Sequence, residues 1–185
     1  QKRIPRQREE LLPDNSKHVL KILVAEDDPI NRRLVQRQLE ILGCSDVTIV
    51  SDGEMCVERF IKAKEPWDLI ISDLQMPKLD GLGVVKRIRE HEVLHRLRPT
   101  PVVAYTADVN FREEDLRALG MQGLLVKPAD LRTLEAVLQR VLSESVRGDH
   151  TEAERGADKG QHGLDLDRTD GLQHRKKLLK RRDTS

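Results

Sequence analysis

Aromatic residues are scarce in this chain: one Trp, one Tyr and two Phe among 185 residues, or 2 %. A core must therefore rest on Leu, Ile and Val, and a surface that stacks single-stranded nucleic acid on aromatic rings is argued against. Cysteine is rare as well. Cys44 and Cys56 have neither metal-ligand spacing nor the pattern of a disulfide framework, and they read as buried thiols in a reducing compartment, with a redox role as the alternative. No stretch approaches the ~20 apolar residues of a membrane span, and no signal peptide is visible. An excess of one charge is missing too: 33 Lys+Arg stand against 32 Asp+Glu, for a formal net charge of +1. No global field draws the chain to nucleic acid or to an anionic membrane. Met is absent from position 1, where Gln stands, which points to a piece of a longer protein. These absences together suggest a cytoplasmic location, whether or not a parent chain is anchored in a membrane.

The length suits one domain of ordinary size plus flanking segments. Residues 1–17 are polar and basic, carry Pro5 and Pro13, and read as a linker. A compact region spans 18–143. Residues 144–185 lack apolar periodicity, hold dense mixed charge and several glycines, and are expected to be disordered. The basic cluster at 174–182 reads as a solvated tail, with a localisation signal or an anionic-surface patch as the alternative.

Inside the compact region, strand and helix patterns alternate. Short apolar runs predict strands at 19–25, 47–50, 68–72, 101–105 and 123–126. Helical spacing predicts helices at 29–43, 53–64, 81–91, 110–119 and 130–142. Five βα units in a row imply α/β architecture, a parallel sheet covered by helices on both faces. Right-handed crossovers put every strand's carboxyl end on one edge. The expected fold is a flavodoxin-like (βα)5 doubly wound sandwich with sheet order 2-1-3-4-5, whose crevice lies between the first and third strands.

Those two strands end in acids. Asp73 closes the third, just before the chain breaks at Met76-Pro77 and Asp80-Gly81; Glu26 and Asp27 close the first. Thr106 and Lys127 end the fourth and fifth. Three carboxylates at such close quarters destabilise the site unless a cation neutralises them. Oxygen donors without His or Cys favour a hard ion, Mg²⁺ or Mn²⁺. A carboxylate beside such an ion can attack a phosphoryl group, with positioning and charge shielding carrying most of the catalysis. Plainer readings stand beside this one. The helix dipole favours acids at helix starts, which could account for Asp28 and Asp27 but not for Glu26. Lys127 alone could be a surface residue, and Thr106 alone a core residue. Pro128 biases Lys127 toward an extended backbone and makes a cis bond accessible.

At these residues the chain resembles the receiver (response-regulator) domains of two-component phosphorelays. Four motifs carry the resemblance, in order and at matching spacing: Ile22-Leu-Val-Ala-Glu-Asp-Asp-Pro-Ile-Asn31, Asp73-Leu-Gln-Met-Pro-Lys-Leu-Asp-Gly81, Val103-Ala-Tyr-Thr-Ala107 and Gly123-Leu-Leu-Val-Lys-Pro128. They cover about 19–143. The resemblance implies that Asp73 accepts the phosphoryl group and that Glu26 and Asp27 form the acidic metal pair. It implies that the backbone carbonyl of Gln75 completes the protein's share of the metal shell. Thr106 senses the phosphoryl group, Lys127 pairs with it, and Asp28 stays outside the ligand set. Many receivers carry Tyr or Phe where this chain has Leu124, and Tyr105 is not a substitute because it points to the other side of its strand. Output is therefore expected through backbone shifts in the loops after the third and fourth strands.

The Asp28-Pro-Ile-Asn31 stretch and Leu124 look most like receivers attached to hybrid histidine kinases. There the receiver takes phosphate from the phosphohistidine domain of a histidine kinase and passes it to a histidine-phosphotransfer protein. By itself it has at most self-phosphorylation and self-dephosphorylation activity, as a monomer or transient dimer. A stand-alone single-domain regulator is the alternative. An aspartyl-phosphate phosphatase fits poorly, because Glu26-Asp27-Asp28 lacks the spacing of that class. No helix-turn-helix pattern supports a DNA-binding regulator.

Overall fold

The computed structural model describes residues 19–153. The expected linker at 1–17, the tail beyond 153 and its basic cluster lie outside the described residues. The described residues up to Asp149 belong to one compact unit; of the second, His150–Ser185, the end of the last helix is described.

The elements run β1 (Lys21–Ala25), α1 (Pro29–Ile41), β2 (Asp46–Val50), α2 (Gly53–Ile61), β3 (Leu69–Asp73), α3 (Gly81–His95), β4 (Val102–Thr106), α4 (Glu113–Ala118), β5 (Gly123–Val126) and α5 (Leu131–Ala153). All strand pairs are parallel, in the order β2-β1-β3-β4-β5. This is the doubly wound, flavodoxin-like arrangement expected from the alternating pattern.

The alternation of side chains along each strand sorts the core into two layers. Ile22, Val24, Leu69, Ile71, Val103 and Tyr105 face Val35 and Leu39 of α1 and Leu134, Leu138 and Val141 of α5. Leu23, Ala25, Ile70, Val102 and Ala104 face α2, α3 and α4 through Val57, Phe60, Val84, Ile88 and Leu116. β3 and β4 are buried throughout, so they read as continuous apolar runs rather than as alternating strands. Both cysteines are free and buried. Burial pushes the Cys56 thiol up to about 12, which keeps it from the reactive thiolate form.

Four helices start from an aspartate. Asp28, Asp52 and Asp80 cap α1, α2 and α3, each accepting backbone N–H groups of the first turn. Ahead of α5, Asp130 accepts the Thr133 N–H at 2.7 Å. Such caps satisfy donors that have no partner inside the helix. Gly81 lets α3 begin against the end of β3: a Cβ there would run into the Asp73 carbonyl oxygen and come within 2.9 Å of Leu74 Cα.

Helix ends depart from the sequence pattern where tertiary contacts decide them. α3 runs on to His95 because buried Glu92 takes the Thr100 N–H at 2.7 Å and pairs with Arg89 at 2.6 Å, which ties down the final turn. α4 starts three residues late. The Asp108 side chain accepts the Asn110 N–H at 2.9 Å, a local turn that competes with helix. α5 does not stop at Leu142 but runs to Ala153. Glu144 pairs with Arg140 of the same helix at 3.6 Å and with Arg117 of α4 at 3.2 Å, the latter an anchorage across elements that no local periodicity reveals.

Candidate functional site

Strand register brings the acids together. Ala25 lies opposite Ser72, so Glu26 comes level with Asp73, and Asp73 in turn lies opposite Tyr105 on β4. Glu26, Asp27 and Asp73 each offer a carboxylate oxygen, and the three oxygens lie within 4.8 Å of one another. Glu26 is 0 % exposed and Asp73 4 %; Asp27 is exposed.

Lys127 reaches this cluster from the end of β5. Its Nζ lies 2.5 Å from Asp73 Oδ2 and 2.5 Å from Glu26 Oε2. The bond to Asp73 is a well-aligned hydrogen bond, whereas Glu26 Oε2 is paired by charge alone and accepts no aligned donor. The Lys127–Pro128 peptide is cis. The Lys127 N–H donates to the Thr106 carbonyl at 2.8 Å, which fixes the start of the side chain's path.

The charges reshape one another. Burial is the largest influence on Glu26 and pushes its carboxyl above the ordinary value; Lys127 pulls the other way, and the charge of Asp73 adds to the rise. Burial alone would lower the Lys127 pKa, but its hydrogen bond to Asp73 and its close pairing with Glu26 more than offset this, and the ammonium is held above its usual range. Three carboxylates cluster here against the one ammonium of Lys127, which touches Glu26 and Asp73, and this leaves an excess of two negative charges when all are ionised. Oxygen-only donors, one of them a buried oxygen without an aligned donor, suit a hard divalent cation.

The surrounding loops are built to hold this shape. Glu26 Oε1 accepts the Asp28 N–H at 3.2 Å and the Asn31 side-chain amide at 3.3 Å. Arg32 donates to the carbonyls of Glu26 at 3.0 Å and Asp27 at 2.6 Å. The Gln75 N–H donates to Asp73 Oδ1 at 2.8 Å, placing Gln75 in the turn beside the acid. Asp28, expected outside the ligand set, instead caps α1 at 2.8 and 2.9 Å.

Thr106 is buried at the strand end, and its Oγ1 accepts the Asp108 N–H at 3.1 Å. That bond holds the loop after β4; it does not join Thr106 to Asp73. Leu124 packs on the layer of α2, α3 and α4, and Tyr105 on the opposite one, as the strand parity predicts.

Several contributors carried no signal of their own in the sequence. Arg32 looked like one more charged helix residue. Lys78 pairs with the buried Asp52 at 2.6 Å, tying the loop after β3 to the start of α2. The Tyr105 ring lies beneath Lys127, a placement that strand parity hints at only once the register is known.

Residues 22–139 match the response regulator receiver domain family. The signal transduction histidine-protein kinase BarA of Shigella flexneri is 37 % identical over 134 residues, covering 70 % of this chain and 14 % of that one. The chain therefore spans about a seventh of that relative's length. Among solved structures, the receiver domain of the sensor histidine kinase PA1611 from Pseudomonas aeruginosa holds a magnesium ion in its active-site cleft. It is 30 % identical with a TM-score of 0.59, over 68 % of this chain and 99 % of that one. The receiver domain of Ssk1 from Saccharomyces cerevisiae, solved in complex with the histidine phosphotransfer protein Ypd1, is 26 % identical with a TM-score of 0.59, over 67 % and 89 %. With its fold, its crevice of acids and this match along most of the compact region, the chain belongs to the response regulator receiver domain family.

Proposed function

We propose that Asp73 accepts a phosphoryl group from phosphohistidine, and that the domain relays it onward or changes conformation in response. The carrying observation is the bridge of Lys127 between Asp73 and Glu26, beside Asp27, at the carboxyl edge of β1 and β3. Glu26, Asp27, Asp73 and the backbone carbonyl of Gln75 would hold Mg²⁺, and Mn²⁺ suits the same donors. Bound there, the ion supplies charge shielding between the carboxylate and the phosphoryl oxygens.

An Asp73 carboxylate oxygen attacks phosphorus, and a P–O bond forms as the P–N bond to the donor imidazole breaks. The bond's electron pair leaves with the imidazole nitrogen, which takes up a proton. Lys127 places its ammonium against the incoming phosphoryl oxygens, and no further covalent step falls to the protein. Afterwards Asp73 no longer presents a free carboxylate. Thr106, whose hydroxyl has a single modest bond to Asp108 N, is free to turn toward the phosphoryl group. The loop after β4 moves with it, shifting an existing equilibrium between two arrangements. Leu124 does not take part as a swinging ring, so the response travels through the loops after β3 and β4.

Partners follow from the same edge. Ile30 is 75 % exposed at the start of α1 and Val109 74 % exposed in the loop after β4. These apolar residues flank the acids and suit docking of a phosphohistidine domain or a histidine-phosphotransfer protein, the kind of partner seen with the Ssk1 receiver. Similarity to BarA supports a histidine kinase as the parent chain, and similarity to the hybrid signal transduction histidine kinase L of Dictyostelium discoideum supports one of the hybrid kind. No helix among the described residues is long and apolar enough to cross a membrane, and we place the domain in the cytoplasm.

The test is incubation with Mg²⁺ and acetyl phosphate, followed by intact mass. One added phosphoryl group is expected on the wild type and none on Asp73→Ala. An adduct that persists in Asp73→Ala removes Asp73 from the acceptor role.

A further inference from the structure

Tyr105 is 1 % exposed and lies opposite Asp73 in the strand register. Its ring centroid is 4.8 Å from Lys127 Nζ, and its hydroxyl is buried without a hydrogen-bond partner. A phenol placed so gains nothing from its oxygen; what it offers the site is the face of its ring, which attracts a cation most strongly where water is excluded. Lys127 is itself 11 % exposed, so its ammonium rests on three supports: Asp73, Glu26 and this ring.

Two of those supports change during the reaction. Phosphorylation converts the Asp73 carboxylate into an acyl phosphate, and a bound divalent cation draws on the charge of Glu26. The ring keeps its charge distribution throughout. We propose that Tyr105 is a positioning residue for phosphoryl transfer: its ring holds the Lys127 ammonium at the crevice while Asp73 and Glu26 are engaged elsewhere. This rests on Asp73 as acceptor and on Lys127 as the phosphoryl group's cation. The hydroxyl has no part in it, and nothing in the structure explains why Tyr rather than Phe stands here.

The experiment follows phosphoryl uptake on the full chain by intact mass, with saturating Mg²⁺ and acetyl phosphate. It compares wild type, Tyr105→Phe, Tyr105→Leu, Lys127→Met and the double variant Tyr105→Leu/Lys127→Met. Tyr105→Phe keeps the ring and is expected to react at the wild-type rate. Tyr105→Leu is expected to slow uptake roughly ten-fold. In the Lys127→Met background Tyr105→Leu should add nothing, because the ring then has no ammonium to hold. Tyr105→Met, which also lacks the ring, is measured alongside, so that one poorly folded variant does not decide the matter.

Wild-type rates in Tyr105→Leu and Tyr105→Met overturn the proposal. So does an equal slowing with and without Lys127, which marks a packing role. Both results leave Asp73 as acceptor intact. A wild type that takes up no phosphate overturns the acceptor reading itself, and the role of Tyr105 with it.

Discussion

Replacing Lys127 with Met keeps the length of the side chain and removes the ammonium from between Glu26 and Asp73. Both carboxylates are buried, at 0 % and 4 % exposure, so water cannot take over from the lost cation. Removing one partner of such a pair costs about 3–5 kcal/mol. The lower end applies here, because burial already pushes the Glu26 carboxyl up. With Lys127 gone, Glu26 can bind a proton and spare the site one charge. The expected loss at neutral pH is therefore about 3 kcal/mol, a large share of the ~5–15 kcal/mol that holds a domain together. In urea this lowers the unfolding midpoint by about 1–2 M. Added Mg²⁺ should reverse much of the loss: saturation at 100 times the dissociation constant contributes about 2.7 kcal/mol. The variant should gain more than the wild type, since no ammonium competes for its carboxylates. Urea unfolding of both proteins, in EDTA and in saturating Mg²⁺, measures each quantity. Equal midpoints in EDTA, or a larger Mg²⁺ gain for the wild type, would refute the picture of Lys127 as the resident counter-charge.

Two other substitutions probe the loop between β3 and α3. Asp52 caps α2 and binds Lys78, and Asp52→Ala should cost about 1 kcal/mol through the lost cap. The Lys78 hydrogen bond, then the Met55 N–H, holds the Asp52 carboxyl below its ordinary 3.8. A lowered folded-state pKa means the contribution is present above the unfolded value and fades as pH falls through the folded one. The gap between wild type and Asp52→Ala should therefore narrow below about pH 4 in acid titrations of stability; a gap constant down to pH 3 contradicts the ion pair. Gly81→Ala places a Cβ against the Asp73 carbonyl oxygen, backbone that has no room to yield. It should cost about 1–3 kcal/mol and weaken Mg²⁺ binding by displacing the turn that carries Gln75. Thermal melts with and without Mg²⁺ test both effects, and an unchanged melting temperature contradicts the close approach.

Much of the fold was legible because its signals are local. The runs at 19–25 and 68–72 are too short for helices and too apolar for loops. Asp28-Pro29 and Asp80-Gly81 mark helix starts through chemistry confined to a few residues. Helix ends were less legible. Glu92 extends α3 only because Thr100 and Arg89 meet it, and Glu144 extends α5 against Arg117 and Arg140. Arg89 and Arg140 are helix-spaced neighbours of those acids, but Thr100 and Arg117 lie outside the helices concerned, beyond the reach of a periodic pattern.

The site divides in the same way. Glu26, Asp27, Asp73, Thr106 and Lys127 could be named from sequence, since each ends a recognisable strand and parallel strands share one edge. The sequence alone determined which chemical groups meet, because alternation of strand and helix leaves the strand ends one place to converge. Tertiary structure decided how they meet. It set Lys127 across two carboxylates and laid it over Tyr105. It also turned the Thr106 hydroxyl to the Asp108 backbone and fastened Lys78 to Asp52. Those choices depend on register, burial and the direction of long side chains, and such quantities come into being only when the sheet has formed.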